Sequence, residues 1–381
     1  MRIAVNARLL LPNKLEGIGW FAHETTRRMV ANHPEHQFVL LFDRPPAPEF
    51  NYGKNSEMVV LQPPARHPLL WYIWFEIAMA RYLNNRKHGI DVLYSPEGYL
   101  SLHSHCPQVL TLHDINFHHH PEYLPKTYAW YLNRYTPRFV RKANQVLTVS
   151  KYSQTDICAA YNLPQNKVSV VYNGIDALFA PLSPIKIEQT RRKISNGEPY
   201  FIFVGSMHRR KNAAGLLKAF DLFKRNTNAP HRLILVGSDM FKPAEIQQSI
   251  NQSPNAHHII RVGHCLRHEL APLIGAAQAL IFPSLFEGFG VPLAEAMSCG
   301  IPIASSNTTS MPEVAGDAAL YFDPNNTAQM ADAMTQLAQQ PQLRQQLSLR
   351  GLERAKRFKW DISAQQVMQT VEQAAAAPNK Q

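Results

Sequence analysis

Cysteine is scarce. The chain has four, Cys106, Cys158, Cys265 and Cys299, in 381 residues. No two are spaced as a CxxC pair, so neither a zinc site nor a disulfide framework is indicated, and a reducing cytoplasm fits. A long hydrophobic run is also missing: the most apolar stretch, residues 69–80, is too short to span a bilayer and contains Glu76. The N-terminal MRIAVNARLL lacks a charged leader ahead of an apolar segment and cleavage site, so no signal peptide is expected. Nor is there a basic tail. The net charge of +11 is spread evenly, with 18 Lys and Arg against 13 Asp and Glu in residues 1–180 and 21 against 15 beyond. That argues against a nucleic-acid partner and leaves an anionic membrane surface or a phosphorylated substrate. At 45% hydrophobic residues the chain can bury sizeable cores, and only the end, AAAAPNKQ, is expected to fray.

What the sequence does have is alternation. Strand-like apolar runs at 2–6, 37–42, 57–61, 92–94, 109–112, 146–149 and 168–171 are interleaved with helix-length segments near 19–32, 68–87, 122–143 and 151–161. This is the pattern of parallel α/β layers. Residues 180–199 are polar, hold three prolines and read as a connection. The alternation then restarts, with strands expected at 200–204, 233–236, 259–262, 279–282 and 301–304 and helices near 212–225, 242–252, 267–276, 292–299, 327–338 and 341–357. The expected domains are 1–180 and 181–360, with an amphipathic helix and tail over 361–381 packing back on the first domain.

Four segments carry chemistry. Gly17 and Gly19 lie where the first strand hands over to a helix, a place where bare backbone can approach a phosphate or sugar. An ordinary tight turn explains such a pair equally well. His113 follows the strand 109–112, at the edge where open α/β sheets bind ligands; it could hold a sugar hydroxyl or simply satisfy local backbone. The run His118–His120 suggests a metal, but adjacent loop residues seldom converge on one ion, so no metal is expected. In the third segment, Gly205 and Ser206 close a strand and Arg209, Arg210 and Lys211 precede a helix, which suits a pyrophosphate. The fourth, FPSLFEGFGVPLAEAM, is the most particular. Glu287 and Glu295 are separated by seven intervening residues, with Gly288 and Gly290 among them and Pro292 placed for a first helical turn. Glu287 then belongs to the glycine loop and Glu295 to the helix behind it, both able to accept hydrogen bonds from hydroxyls.

These residues resemble the retaining GT-B glycosyltransferases of family 4, the group 1 type. The likeness rests on Gly17 and Gly19, His113, Val171-Tyr172-Asn173-Gly174-Ile175-Asp176, Arg210-Lys211-Asn212, the Glu287–Glu295 string and Ser310-Met311-Pro312-Glu313-Val314-Ala315-Gly316, and covers nearly the full chain. It implies two Rossmann-like α/β domains facing each other across a cleft. It implies a nucleotide-diphosphate sugar, GDP-mannose first, held mainly by the C-terminal domain through Ser206, Arg210, Lys211, Phe289, Gly290, Val291 and Glu295, with Gly17 and Gly19 of the N-terminal domain also binding the donor. Lys211 would contact the pyrophosphate, Glu295 the ribose and Glu287 the donor sugar, with His113 facing that sugar from the other domain; His113, Lys211 and Glu287 are the expected catalytic residues. A glycan or lipid-linked acceptor of cell-surface polysaccharide synthesis would bind the N-terminal domain. One departure matters: many members carry Arg directly after the glycine where Ser206 stands, so Arg209 or Arg210 must supply the second positive charge. No D-x-D occurs in the chain, so no metal cofactor is expected. The alternatives are a sugar-nucleotide epimerase of similar fold and an inactive membrane-associated scaffold.

One stretch is uneven. Residues 123–155 hold Lys126, Arg134, Arg138, Arg141, Lys142 and Lys151 and no acid. A helix sets Arg134, Arg138 and Arg141 on one face, flanked by Trp130 and Tyr131, a composition that suits an anionic membrane surface or a lipid-linked acceptor. A solvated basic helix is the plainer reading.

Overall fold

The structure is a computed structural model describing residues 1–238 and 243–377. The end of the expected frayed tail, beyond residue 377, and the first residue of the helix expected at 242–252 lie outside the described residues. The chain forms two compact units, one of Met1–Gly174 with Lys359–Gln381 and the other of Ile175–Phe358.

The first unit is built on seven parallel strands: β1 (Arg2–Asn6), β2 (Gln37–Phe42), β3 (Ser56–Val60), β4 (Val92–Ser95), β5 (Gln108–Thr111), β6 (Gln145–Thr148) and β7 (Val168–Val170). Their order is β3-β2-β1-β4-β5-β6-β7. The second has six, β8 (Tyr200–Val204), β9 (Arg232–Val236), β10 (Ile259–Val262), β11 (Ala279–Phe282), β12 (Ile303–Ser306) and β13 (Ala319–Phe322), also parallel, in the order β10-β9-β8-β11-β12-β13. Central strands such as β4 and β8 are buried along their whole length, because helices cover both faces of a parallel sheet. The strand order reverses between β1 and β4 in one sheet and between β8 and β11 in the other. Open α/β sheets bind ligands at that reversal, outside the carboxyl ends of the strands. This is the two-domain α/β GT-B architecture.

The final helix, Trp360–Ala376, belongs to the first unit. It buries Trp360, Val367, Met368 and Val371 and is tied to the helix Gly17–Asn32 by Arg28 Nε donating to Asp361 at 2.7 Å. A Cβ on Gly174 would lie 2.2 Å from the Trp360 backbone nitrogen, so only glycine lets the chain pass there.

Three expectations are corrected. The stretch 180–199 is not mere connection, for it contains the helix Pro184–Ser195, started by the Ser183 side chain and by Pro184 in its first turn. Strand β13 escaped notice because four residues opening on alanine carry too little pattern. The helical stretch expected at 68–87 is divided by a π-helical segment, Trp74–Met79. Trp71 and Trp74 within it are core residues.

Candidate active site

In the second unit, two loops from either side of the strand reversal are joined. After β8 the chain passes Gly205 and Ser206 and makes a single 3-10 turn, Arg209–Lys211, started by His208, whose Nδ1 accepts from the Arg210 amide at 3.1 Å. After β11 comes the glycine loop. The Leu285 amide donates to the Arg210 carbonyl at 2.8 Å, and the side chains complete the junction. Lys211 Nζ donates to Glu287 Oε1 at 2.6 Å, while Arg210 Nη1 donates to Glu287 Oε2 at 2.8 Å and to the Phe286 carbonyl at 2.6 Å. The second cation is therefore Arg210; Arg209 is exposed. Close packing permits this geometry: a Cβ on Gly237, after β9, would stand 2.0 Å from the Gly205 carbonyl oxygen.

Glu287 is not the exposed loop residue it could have been. It is 6% exposed, and the loop after β12 grips its backbone. Thr309 Oγ1 accepts from the Glu287 amide at 3.1 Å and Ser310 Oγ donates to its carbonyl at 2.9 Å. Thr309 does so at φ +52, a conformation unfavourable for a β-branched residue, and such outliers gather at functional sites. Burial works to raise the Glu287 carboxyl, but Arg210 and Lys211 overcome it and hold it at about 2. One carboxylate between two cations leaves this group a net single positive charge, suited to an anion.

The loop ends at Gly290, whose φ of +90 favours glycine, and Gly290 caps the helix Val291–Ser298 with Pro292 in its first turn. The Phe289 ring is buried edge-on against Phe358, centroids 5.3 Å apart. Glu295, on that helix, is buried with no hydrogen bond to its carboxyl among the described residues. Burial pushes it up to about 7, Arg267 pulls against this, and Asp176 pushes further. Arg267 in turn donates to Asp176 Oδ2 at 3.1 Å. The motif Val171–Asp176 thus sends its last residue to the Glu295 end of the site.

In the first unit, Gly17 and Gly19 occupy the first turn of a helix, not a loop before it. Gly19 is needed for packing, since a Cβ there would press on the Leu9 carbonyl at 3.1 Å, whereas Gly17 faces open space. His113 packs edge-on against Phe21 of the same helix at 5.0 Å, and its Nε2 lies 2.9 Å from the Pro96 carbonyl. A carbonyl only accepts, so Nε2 carries the proton. Burial lowers the His113 pKa, which keeps the ring neutral and leaves Nδ1 as an acceptor for a hydroxyl. His118, His119 and His120 go separate ways, to Asn133, Asp156 and Glu122.

Sequence reading missed Arg8 and Glu97. They meet at the carboxyl ends of β1 and β4, with Arg8 Nε donating to Glu97 Oε1 at 3.0 Å. The guanidinium lies 5.1 Å from the Tyr99 ring centroid and 5.7 Å from that of Trp71. An arginine directly behind the first strand, in NARLL, was the available signal. The basic helix is Lys126–Lys142, continuous through Pro137. Arg134 and Arg141 are exposed and Arg138 half-buried against Tyr135. Trp130 is 63% exposed, but Tyr131 is buried in the aromatic core with Trp71 and so does not flank the stripe. Among the described residues no helix is long and apolar enough to cross a membrane.

With this geometry in hand, the comparisons agree. The family model for glycosyl transferases group 1 matches residues 185–354, and that for glycosyltransferase family 4 matches residues 15–177. The chain is 32% identical over 272 residues to O-antigen chain mannosyltransferase B of Escherichia coli, covering 71% of each. It is 27% identical over 284 residues to O-antigen chain mannosyltransferase RfbU of Salmonella typhimurium, covering 72% of each. Among solved structures, Anabaena HepE in complex with UDP and glucose superposes with a TM-score of 0.77 at 19% identity, over 98% of this chain and 100% of that one. WaaG, a glycosyltransferase involved in lipopolysaccharide biosynthesis, superposes with a TM-score of 0.76 at 14% identity, over 97% and 99%. A chain whose two halves carry these models, and whose cations converge on a carboxylate where a parallel sheet reverses, belongs to the family 4, group 1 glycosyltransferases.

Proposed function

We propose that this glycosyltransferase moves mannose from GDP-mannose to a glycan or lipid-linked acceptor of cell-surface polysaccharide, with retention of configuration. The mannosyl donor is supported by the two O-antigen mannosyltransferases among its relatives, and retention by the likeness to retaining family members. The observation that carries the donor site is the Arg210–Glu287–Lys211 group. As the glycosidic bond breaks, the leaving nucleoside diphosphate gains negative charge. Lys211 and Arg210 stabilise it by charge-assisted hydrogen bonds, and Glu287 holds both cations in place and meets the donor sugar. Ser206 contributes its backbone amide, as do Gly290 and Val291 at their helix start, while the Gly205 amide is spent on the Val236 carbonyl at 2.9 Å; Phe289 contributes backbone only, its ring being packed away. Gly17 and Gly19 begin a helix whose first amides serve the donor phosphates, and neutral His113 accepts a sugar hydroxyl. The test is a thermal-shift screen of sugar nucleotides followed by product analysis without acceptor. Stabilisation by GDP-mannose and its slow hydrolysis are expected. Isomerisation of the donor would indicate an epimerase, and no binding of any sugar nucleotide would remove the reading.

Glu295 is assigned to the ribose hydroxyls. A carboxylate accepts from both, a protonated carboxyl less well, and burial has raised this group to about 7. Donor affinity should therefore fall as pH drops below about 7, by at most about tenfold per unit if only the ionised form binds. Glu295→Gln should bind donor weakly at every pH and lose that slope. A wild-type Kd flat from pH 8 to 5.5 would sink the assignment.

The charge stabilisation comes from side chains and amides, so no metal is required. Enzyme treated with EDTA should keep most of its activity. Activity that vanishes with the chelator and returns with Mg²⁺ or Mn²⁺ would overturn this.

The protein is proposed to work in the cytoplasm, peripheral to the inner face of the membrane, with no nucleic-acid partner. Arg134, Arg138, Arg141 and exposed Trp130 of the helix Lys126–Lys142 form the docking face, each cation near an anionic surface contributing about 1 kcal/mol. Co-sedimentation with anionic vesicles should weaken with salt and be lost in Arg134→Glu with Arg138→Glu. Equal binding to neutral vesicles would leave the stripe without this role.

A further inference from the structure

The second unit has a cavity of about 430 Å³ lined in part by Arg191, Gln278, Arg344, Gln345 and Ser348. Its floor is the amino-terminal edge of the sheet, since Gln278 immediately precedes β11 and Pro302 precedes β12. The Arg210–Glu287–Lys211 group lies at the carboxyl edge, so the two places are distinct. The volume falls within the range of small-molecule sites.

Its charge is one-sided. No Asp or Glu lines the cavity, and neither Arg191 nor Arg344 forms an ion pair among the described residues. Both are held by backbone carbonyls. Arg191 Nε donates to Ala276 at 2.8 Å, and Arg344 Nη1 donates to Leu337 at 2.9 Å and Ala338 at 3.0 Å. These bonds orient each guanidinium and leave other N–H donors on it. Burial lowers the Arg191 pKa, and the like charge of Arg344 lowers it further. The same positive field reaches His231, 6% exposed, which burial chiefly, with Lys224, Arg344 and Arg191 adding, pushes down to about 4. Two oriented arginines that repel each other across a cavity without a counter-charge match a tetrahedral oxyanion, which arginine grips in bidentate fashion.

We propose that this cavity binds a small phosphorylated anion at a site separate from the sugar-nucleotide site. The experiment measures thermal unfolding with pyrophosphate against NaCl of equal ionic strength. Wild type should rise by on the order of 3 °C at tenfold excess over Kd. Because pyrophosphate can also occupy the donor site, the variants decide. The rise should persist at least in part in Lys211→Ala, shrink in Arg191→Gln, Arg344→Gln and Gln345→Glu, and disappear when either arginine change is combined with Lys211→Ala. Gln345→Glu places a negative charge on an exposed lining residue without removing any packing, and so serves where an arginine variant fails to fold. Basal transferase activity in Gln345→Glu should equal wild type. No rise in wild type, a rise abolished by Lys211→Ala, or a full rise in Arg344→Gln or Gln345→Glu overturns the proposal.

Discussion

Lys211→Ala is expected to lower kcat by about 10²–10³ with a smaller change in KM for the donor, the loss typical of removing one preorganised donor to developing charge. Lys211 is 9% exposed, its Nζ lies 2.6 Å from Glu287 Oε1 and 5.5 Å from the centroid of the Phe282 ring. A cation this far from bulk water acts in a medium of reduced dielectric, where its attraction for a leaving phosphate is strongest. That attraction grows as the glycosidic bond breaks, so it appears in kcat more than in ground-state binding. Steady-state kinetics at saturating donor, with a melting curve to confirm the fold, make the check. Near-normal kcat in a folded Lys211→Ala protein would remove this lysine from leaving-group departure.

Glu287→Gln should disturb both kcat and KM and should also destabilise the second unit. The amide keeps the shape of the carboxyl but removes the negative charge that buried Lys211 and half-buried Arg210 share. Breaking a buried pair in this way typically costs about 3–5 kcal/mol; Arg210, with a side chain 20% exposed, places the effect toward the lower end. Glu287 is held at about 2 against an ordinary value of 4.5. A depressed carboxyl contributes stability that is present above the unfolded value and is lost as pH falls through the folded one. Wild type should therefore lose stability between about pH 4.5 and 2, and Glu287→Gln should lack that component. Equal acid sensitivity in the two proteins, together with unchanged kinetics, would show that Glu287 does not organise the cations.

Much of the candidate site in the second unit was legible because it is local. A strand, a glycine loop and a proline-started helix lie within twenty residues of continuous chain, 279–298, so the placement of Glu287 in the loop and Glu295 on the helix followed from turn and helix chemistry alone. The first-unit residues were less legible. Gly17 and Gly19 look the same in sequence whether they make a loop or, as found, the first helical turn. Tyr131 differs from Trp130 by one position, and one position is a rotation of about 100° on a helix, enough to send one ring into the core and leave the other in solvent.

By itself the sequence determined two alternating α/β halves, the edge of each sheet where a ligand belongs, and the identity of the residues in the glycine loop. Periodicity of 2 and 3.6 and the steric demands of Gly and Pro act over a few residues and are written in them. Tertiary structure alone decided which distant groups meet: that Glu287 is shared by Arg210 and Lys211, 77 and 76 positions away, that Arg8 pairs with Glu97 across the β1–β4 reversal, and that Asp176 reaches Arg267 near Glu295. Such meetings depend on strand order, and strand order is set by how helices pack over the sheet, a property no local pattern encodes.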